Sequence, residues 1–457
     1  MKSKKLLCSA LFCGMLLTGC GSQTESLTSP ESSVTPAESL TESETEIVTE
    51  SETESLTEPE TELLTESEIE PRPDAPVPSW EDMTMNDDFK TNQMNLAVAL
   101  LKSETERHPD ENVLISPFSI STALAMTSNG ADGETRNQLE KLFGQDIDSL
   151  NTDLKQYTDA LPSGESAKCV SANSVWIKQD DAFTVKEDFI KTSDEIYHAG
   201  IFEEPFDSGT KDNINNWVSE HTDNMIDKII DEISPDAVMY LINALTFDAK
   251  WRNQYDDYQI EDDTFTALDG TERTVSMMQS TERTYYEDEQ AVGFAKAYAN
   301  GYSFIALLPN EDTAILDYVS SLDSEAIRNL LDNPQSFDVY AKLPAFETDY
   351  STKLKDSLES SIPDAFSKKD ADFSKMAEFQ NPEKNIYIND IIHKTYISVD
   401  KNGTKAAAVT AVEMYSTASA IEERETREVT LDRPFVYMIV DNANQLPLFL
   451  GIVTDIT

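Results

Sequence analysis

Histidine, cysteine and serine are the residues most able to do chemistry in this chain, and their spacing decides what chemistry is open. The four histidines are His108, His198, His221 and His393. None stands in the H-E-x-x-H frame that places two zinc-ligating rings on one helix face. There is no G-x-S-x-G elbow to expose a nucleophilic serine, no G-x-x-x-x-G-K-[ST] loop to cradle phosphates, and no C-x-x-C pair for redox or metal work. A Ser/His/Asp set can always be assembled from scattered residues, but none has a local signature here. No catalytic residue, metal site or cofactor is expected, and the chain is not expected to be an enzyme.

One segment is chemically unusual in another way. Lys401–Met414 (KNGTKAAAVTAVEM) mixes helix-favouring alanines, Ala406, Ala407 and Ala408, with strand-favouring Val409, Thr410 and Val412. Gly403 supplies a pivot. Written as a strand, alternate residues from Thr404 to Met414 are Thr, Ala, Ala, Thr, Val and Met. Lys405 and Glu413 both fall on the opposite face. The first face can lie on a core without burying a charge, which would cost several kcal/mol. A plain surface loop has no need of that segregation, so the segment suits both an exposed loop and a buried strand.

The elements that must hold this segment follow from periodicity. Phe89–Lys102 has helical spacing, with Met94, Val98 and Leu101 on one face. Ser119–Met126 is expected to begin a second helix, capped by Ser119 or Ser121. Glu134–Phe143 and Asn213–Ile230 are further helices. Val238–Phe247, Tyr302–Leu308, Phe337–Leu343, Ile386–Ile388 and Thr395–Val399 are expected strands. Arg433–Val440 and Leu448–Thr454 are strands joined by a turn over Asp441–Asn444. Helices first and strands later predict a mixed α+β fold with a largely antiparallel sheet.

The N-terminal end differs. Lys2, Lys4 and Lys5 precede an apolar run, Leu6–Leu17, of about a dozen residues, where a bilayer span takes roughly 20. Leu17-Thr18-Gly19-Cys20 resembles a bacterial lipobox, which implies cleavage before Cys20 and lipid on its thiol. Cleavage would leave Cys169 as the one remaining unmodified cysteine, expected to be a packed apolar residue. Four eight-residue units fill Ala37–Glu68, and residues 21–74 carry sixteen acids against the single base Arg72. Such a segment buries too little apolar surface to offset its ordering entropy. The organisation expected is a lipoprotein signal at 1–19, a disordered acidic tether at 20–80 and one folded domain at 81–457. The tether's coil dimension is about 40 Å, more if charge extends it. Net charge is −51, which excludes nucleic acid as a partner and disfavours charge-driven binding to anionic membrane.

Across the folded part a resemblance accumulates. Asn112–Ala125 (NVLISPFSISTALA), Gly130–Thr135 (GADGET), Ile214–Ser219 (INNWVS) and Leu241–Phe247 (LINALTF) with Lys250 and Trp251 come first. Ile362–Phe366 (IPDAF), Ala371–Ser374 (ADFS), Ile392–Lys394 (IHK), Arg433–Tyr437 (RPFVY) and Pro447–Gly451 (PLFLG) follow in order. Together they resemble the serpin family. The resemblance implies three sheets, about nine helices and an exposed reactive-centre loop whose cleavage lets it insert into the main sheet. It also implies that Ser116, Ser119, Asn243 and His393 form a polar "shutter" cluster beneath the opening strands. Trp251 would mark the "breach" where insertion begins, and Gly403, Thr404, Lys405, Ala406, Ala407, Ala408, Val409 and Thr410 the loop hinge.

The implied activity is suicide-substrate trapping of serine proteases by a monomer at the bacterial cell surface, anchored by its N-terminal lipid only. Family spacing from Lys401 places the scissile bond at Thr417-Ala418. Its neighbours Ser416, Ser419 and Ala420 are small and suit an elastase-like enzyme, and Tyr415 a chymotrypsin-like or subtilisin-like one. Counting back from Val429 and Pro434 points instead near Glu423, so the far side of the loop looks about six residues longer than usual. Lys401 and Lys405 stand where acids are common in the family, and Ala345 where a lysine is common. The alternative is a serpin fold that serves as a non-inhibitory surface binding protein; the small residues after Gly403 favour inhibition over it.

Overall fold

Asn86 opens the first helix by accepting a hydrogen bond from the Phe89 amide at 2.7 Å. The computed structural model describes residues 84–164, 166–381, 383–404 and 424–456. All of them belong to one unit, residues 72–457. Helix α1 runs Asp87–Arg107, with Asp87 and Asp88 in its first turn and Arg107 in its last, so both ends complement the helix dipole. Strand β1 (Val113–Ile115) leads into α2 (Pro117–Ser128).

Ser116, rather than Ser119 or Ser121, caps α2. Its hydroxyl accepts from the Ser119 amide at 3.2 Å, and Pro117 sits at the first helical position, where no N–H is needed. Ser116→Ala is expected to cost about 1 kcal/mol of stability, read as a lower urea midpoint at unchanged slope.

The chain continues with α3 (Gly133–Phe143), α4 (Ile147–Asp159), β2 (Ala167–Lys178), β3 (Phe183–Val185), α5 (Glu187–Tyr197), β4 (Gly200–Glu204), α6 (Ser208–His221) and β5 (Met239–Lys250). Strands then dominate: β6 (Ile260–Thr266), β7 (Glu272–Glu287), β8 (Ala291–Ala297) and β9 (Tyr302–Pro309). After α7 (Ile315–Ser321) and α8 (Ser324–Asp332) come β10 (Gln335–Pro344) and β11 (Phe346–Lys353). Short helices α9 (Lys355–Leu358) and α10 (Pro363–Phe366) precede β12 (Ala377–Phe379), β13 (Ile392–Val399), β14 (Gly403–Thr404), β15 (Thr426–Thr430), β16 (Phe435–Asp441) and β17 (Leu446–Val453).

The described residues thus hold ten α-helical segments and three sheets. The nine-stranded sheet runs β1-β17-β16-β9-β8-β7-β10-β15, with β6 also on β7. The six-stranded sheet runs β11-β13-β14-β5-β2-β4, and β12 pairs with β3. The fold is the mixed α+β arrangement expected, largely antiparallel except for the pairs β2–β4 and β10–β15.

β9, β16 and β17 are buried along their whole length. Helices α1 and α2 pack on β17, and α2 also meets β5 of the six-stranded sheet, so this core is enclosed by other elements. β11 instead alternates buried and exposed positions, and β13 buried and half-buried ones, so one face of these strands is turned toward solvent. A smaller core of Trp176, Ile214, Val218 and Ile242 seats α6 on β2 and β5.

Two expected elements differ. The helix expected over Asn213–Ile230 starts at Ser208, where Asp207 caps it, and ends at His221. Thr222 then turns its hydroxyl back to Val218 and accepts from the Ile226 amide, and Asp223 and Asn224 adopt positive φ. Ile386–Ile388 forms no strand. The Ile388 amide donates to the Ala365 carbonyl within α10, and pairing begins only at Ile392. Cys169 is buried on β2, and burial pushes its thiol pKa up, which suits the packed apolar role expected. Among the described residues no helix is long and apolar enough to cross a membrane.

Candidate functional site at the loop hinge

The site begins where β13 ends. Asp400 closes a tight turn: its carboxylate accepts from the amides of Asn402 at 2.7 Å and Gly403 at 3.1 Å, and its own amide donates to the Gly403 carbonyl. The chain reverses and enters the six-stranded sheet as β14. Thr404 lies opposite Val399 of β13 on one side and Ala249 of β5 on the other, antiparallel to both. Gly403 sits opposite Lys250, where any Cβ would overlap the Ala249 carbonyl oxygen. Only glycine fits so close an approach.

A surface built from other parts of the chain holds this turn. The Trp251 indole N–H donates to the Asp400 carbonyl at 2.8 Å, and the Trp251 amide to the Asn402 carbonyl at 2.9 Å. The Tyr255 amide donates to the Lys401 carbonyl at 3.0 Å. Three consecutive carbonyls of the turn are therefore satisfied from one short segment. Trp251 stacks on Tyr298, with ring centroids 4.4 Å apart and planes 12° from parallel. The Tyr298 hydroxyl meets the Thr404 hydroxyl at 2.5 Å. Thr404 is 1% exposed, so the first residue of the face expected to point inward does so.

Lys401 pairs with Asp257 at 2.6 Å across this turn. That exposed pair gives the basic hinge a local acidic partner, supplied from outside the loop. Ala345 has a simpler role: its amide donates to the Ser276 carbonyl.

Under the same strands lies a chain of polar groups. The His393 Nε2 on β13 accepts from the Ser116 amide at 3.1 Å. The Ser116 hydroxyl caps Ser119, whose hydroxyl donates to the Asn243 carbonyl oxygen on β5. The Asn243 amide group reaches Asn173 at 2.7 Å and Ser171 at 3.1 Å on β2, and Asn173 donates to the Tyr197 carbonyl. The chain links β13, α2, β5 and β2, every member but Ser171 being buried. Burial depresses the His393 pKa to about 4, against a smaller opposing pull from Glu104. The ring is neutral near pH 7, which its acceptor role at Nε2 requires.

The structure thus gathers Ser116, Ser119, Asn243 and His393 into one cluster, and places Trp251 with Gly403 and Thr404 in another. Lys405, Ala406, Ala407, Ala408, Val409, Thr410, Thr417, Ala418 and Cys20 lie outside the described residues. Asn173, Tyr255 and Tyr298 were missed. Tyr298 carries one usable signal, an aromatic directly after a strand and four residues ahead of a core strand; Asn173 and Tyr255 have none in the linear chain.

Three comparisons bear on this arrangement. The family model described as Serpin (serine protease inhibitor) matches residues 91–456. An uncharacterized serpin-like protein of Thermococcus kodakarensis is 30% identical over 75% of this chain and 80% of its own length. A serine protease inhibitor of Cyanea capillata is 28% identical, over 78% and 95%. The crystal structure of Tengpin, a thermophilic serpin, in its native state superposes with a TM-score of 0.75 at 41% identity, covering 82% of this chain and 96% of that one.

Proposed function

The chain belongs to the serpin family, and on that premise we propose that it traps serine proteases as a suicide substrate, targeting elastase-like or subtilisin-like enzymes. The observation that carries this reading is the seat of Gly403 and Thr404. They already form a strand between β13 and β5, antiparallel to both, and further loop residues would simply extend it.

The chemistry belongs to the protease. Its serine oxygen adds to the Thr417 carbonyl, the Thr417–Ala418 bond breaks, the Ala418 nitrogen leaves protonated, and an acyl-enzyme remains. The thirteen steps from Thr404 to Thr417, as a strand, span roughly 43 Å. Extending β14 by that length carries the acyl-enzyme along the sheet before water can complete hydrolysis. Each new ladder hydrogen bond adds about 1 kcal/mol net, and the face of Ala406, Ala408, Thr410 and Val412 goes onto the core. This chain supplies no catalytic group and acts as a monomer.

The Lys-rich start, the apolar run and Cys20 support a lipid-anchored bacterial surface protein, with residues 20–80 as the tether. Diacylglycerol on an N-terminal Cys20 peptide, read by mass spectrometry, tests that assignment.

The function is tested by mixing the chain with a pancreatic- or neutrophil-type elastase on a denaturing gel. The expected result is a band at the summed mass and a released peptide beginning at Ala418. Complexes formed only by cleavage at Arg424 or Arg427 would assign a trypsin-like target. Clean cleavage without a complex by elastase-, subtilisin-, chymotrypsin- and trypsin-like enzymes would establish the non-inhibitory binding protein instead.

A further inference from the structure

The rings that hold the hinge are themselves held by a charge. Lys296, on β8, interrupts an otherwise small and apolar run and is 2% exposed. Its ammonium lies 4.0 Å from the centre of the Tyr255 ring and 5.5 Å from that of Trp251. A desolvated cation over aromatic faces is attracted by their quadrupoles. Glu282 on β7 pairs with it at 2.9 Å. The same Glu282 oxygen accepts from the Ser280 hydroxyl at 2.7 Å, and Ser280 faces the Tyr255 hydroxyl at 3.5 Å. Burial draws the ammonium's pKa down, and the Glu282 carboxylate opposes that pull.

β8 is also tied to the hinge seat by its backbone. The Arg252 amide donates to the Ala297 carbonyl and the Ala299 amide to the Lys250 carbonyl, both at 2.9 Å. Lys296 therefore cannot shift without moving the Trp251 segment. Burying an ion pair is a poor way to gain stability, since an apolar pair of like volume often serves as well or better. A buried ammonium placed against two rings, with a partly buried carboxylate beside it, points to geometry as its role.

We propose that the ion pair of buried Lys296 with partly buried Glu282 is the positioning element of the hinge seat. It clamps the Trp251 and Tyr255 rings, and through the amides of those residues it holds residues 400–402 until the loop is cut. This deepens the inhibitory reading and rests on it for its consequence, but the clamp itself is measurable without any protease.

The experiment is amide hydrogen exchange on the full chain, uncleaved, in wild type and in the double variant Lys296→Met/Glu282→Gln, which removes both charges together. The amides of Trp251 and Tyr255, donors to the hinge carbonyls, are expected to exchange at least tenfold faster in the double variant. Those of Tyr437 and Leu450, in the core strands, are expected to keep the wild-type rate. Glu282→Gln alone, which leaves the ammonium unpaired, is expected to lower the unfolding midpoint, and the double variant to recover it. A purely structural role predicts that exchange recovers with the midpoint. Tyr255→Leu keeps the ion pair and removes one ring, and is expected to speed both amides likewise if the double variant fails to fold. Unchanged exchange at Trp251 and Tyr255 in either folded variant overturns the proposal. Absence of a covalent complex in wild type, with the exchange changes present, would overturn the inhibitory reading and leave the clamp standing.

Discussion

Thr404→Arg is expected to convert the trap into a substrate. The covalent fraction formed with elastase should fall at least tenfold, while the loop is still cut at a rate close to wild type. The reason is local. Thr404 is buried against Tyr298, between β13 and β5, and is the first residue that must stay in the sheet for the strand to extend. A guanidinium there must lose its water, at a cost of several kcal/mol. The insertion step slows and hydrolysis of the acyl-enzyme proceeds. Thr404→Val is the control: it keeps the shape and loses one hydroxyl contact worth about 1 kcal/mol, so the covalent fraction should stay within threefold of wild type. Quantitative gel densitometry at several inhibitor-to-protease ratios measures both. An arginine variant that traps as well as wild type would show that the Gly403–Thr404 seat does not limit insertion.

The second large effect is one of pH. His393 titrates at about 4 in the folded chain because burial disfavours its charged form; an unfolded histidine titrates near 6.5. Between those values the unfolded chain binds a proton that the folded chain refuses. Stability therefore rises with pH through this window, is complete above about pH 6.5, and is lost as pH falls toward 4. The difference of about 2.5 pH units corresponds to roughly 3 kcal/mol. Protonation would also displace the Ser116 amide from Nε2 and break the polar chain at its β13 end. His393→Gln keeps an acceptor for that amide and cannot titrate. Comparing urea midpoints of wild type and His393→Gln at pH 7.0 and pH 4.5 isolates the histidine. Asp441, whose pKa burial raises, contributes with the opposite sign to both proteins and cancels. Wild type should lose more stability than the variant; equal losses would mean that another group carries the acid sensitivity. If sheet opening accompanies the loss, spontaneous insertion of the loop should also quicken below pH 5.

How much of this was legible varied with distance along the chain. The strands Tyr302–Leu308 and the C-terminal pair were readable because each is a run of core residues bounded by turn formers, and Phe337–Leu343 because its buried Val339, Ala341 and Leu343 alternate with less buried positions. Asp441–Asn444 behaves as the turn expected: its carboxylate accepts from the Ala443 amide and the Asn444 side chain. Ile386–Ile388 misled because three apolar residues look alike whether they pair in a ladder or lie under a helix. The helix at Ser208–His221 ended early because the Thr222 side chain offered the backbone a different set of bonds.

The candidate site divides the same way. By itself the sequence determined the loop's double character, since the alternation of small residues and the confinement of charge to one face are properties of consecutive positions. It also determined the serpin identity of the folded part, because the matching blocks are local and keep their order. Only the tertiary structure decided what grips the hinge. Trp251 and Tyr255 follow β5, Lys296 and Tyr298 bracket the end of β8, Glu282 lies in β7, and Asp257 stands outside the loop it pairs with. In the linear chain Lys296 is only a lysine among alanines. Lys296 and Glu282 lie just past the β7–β8 ladder, which ends at Thr284 and Ala295, and the two rings come from the segment after β5; their meeting is a tertiary contact that local periodicity does not contain.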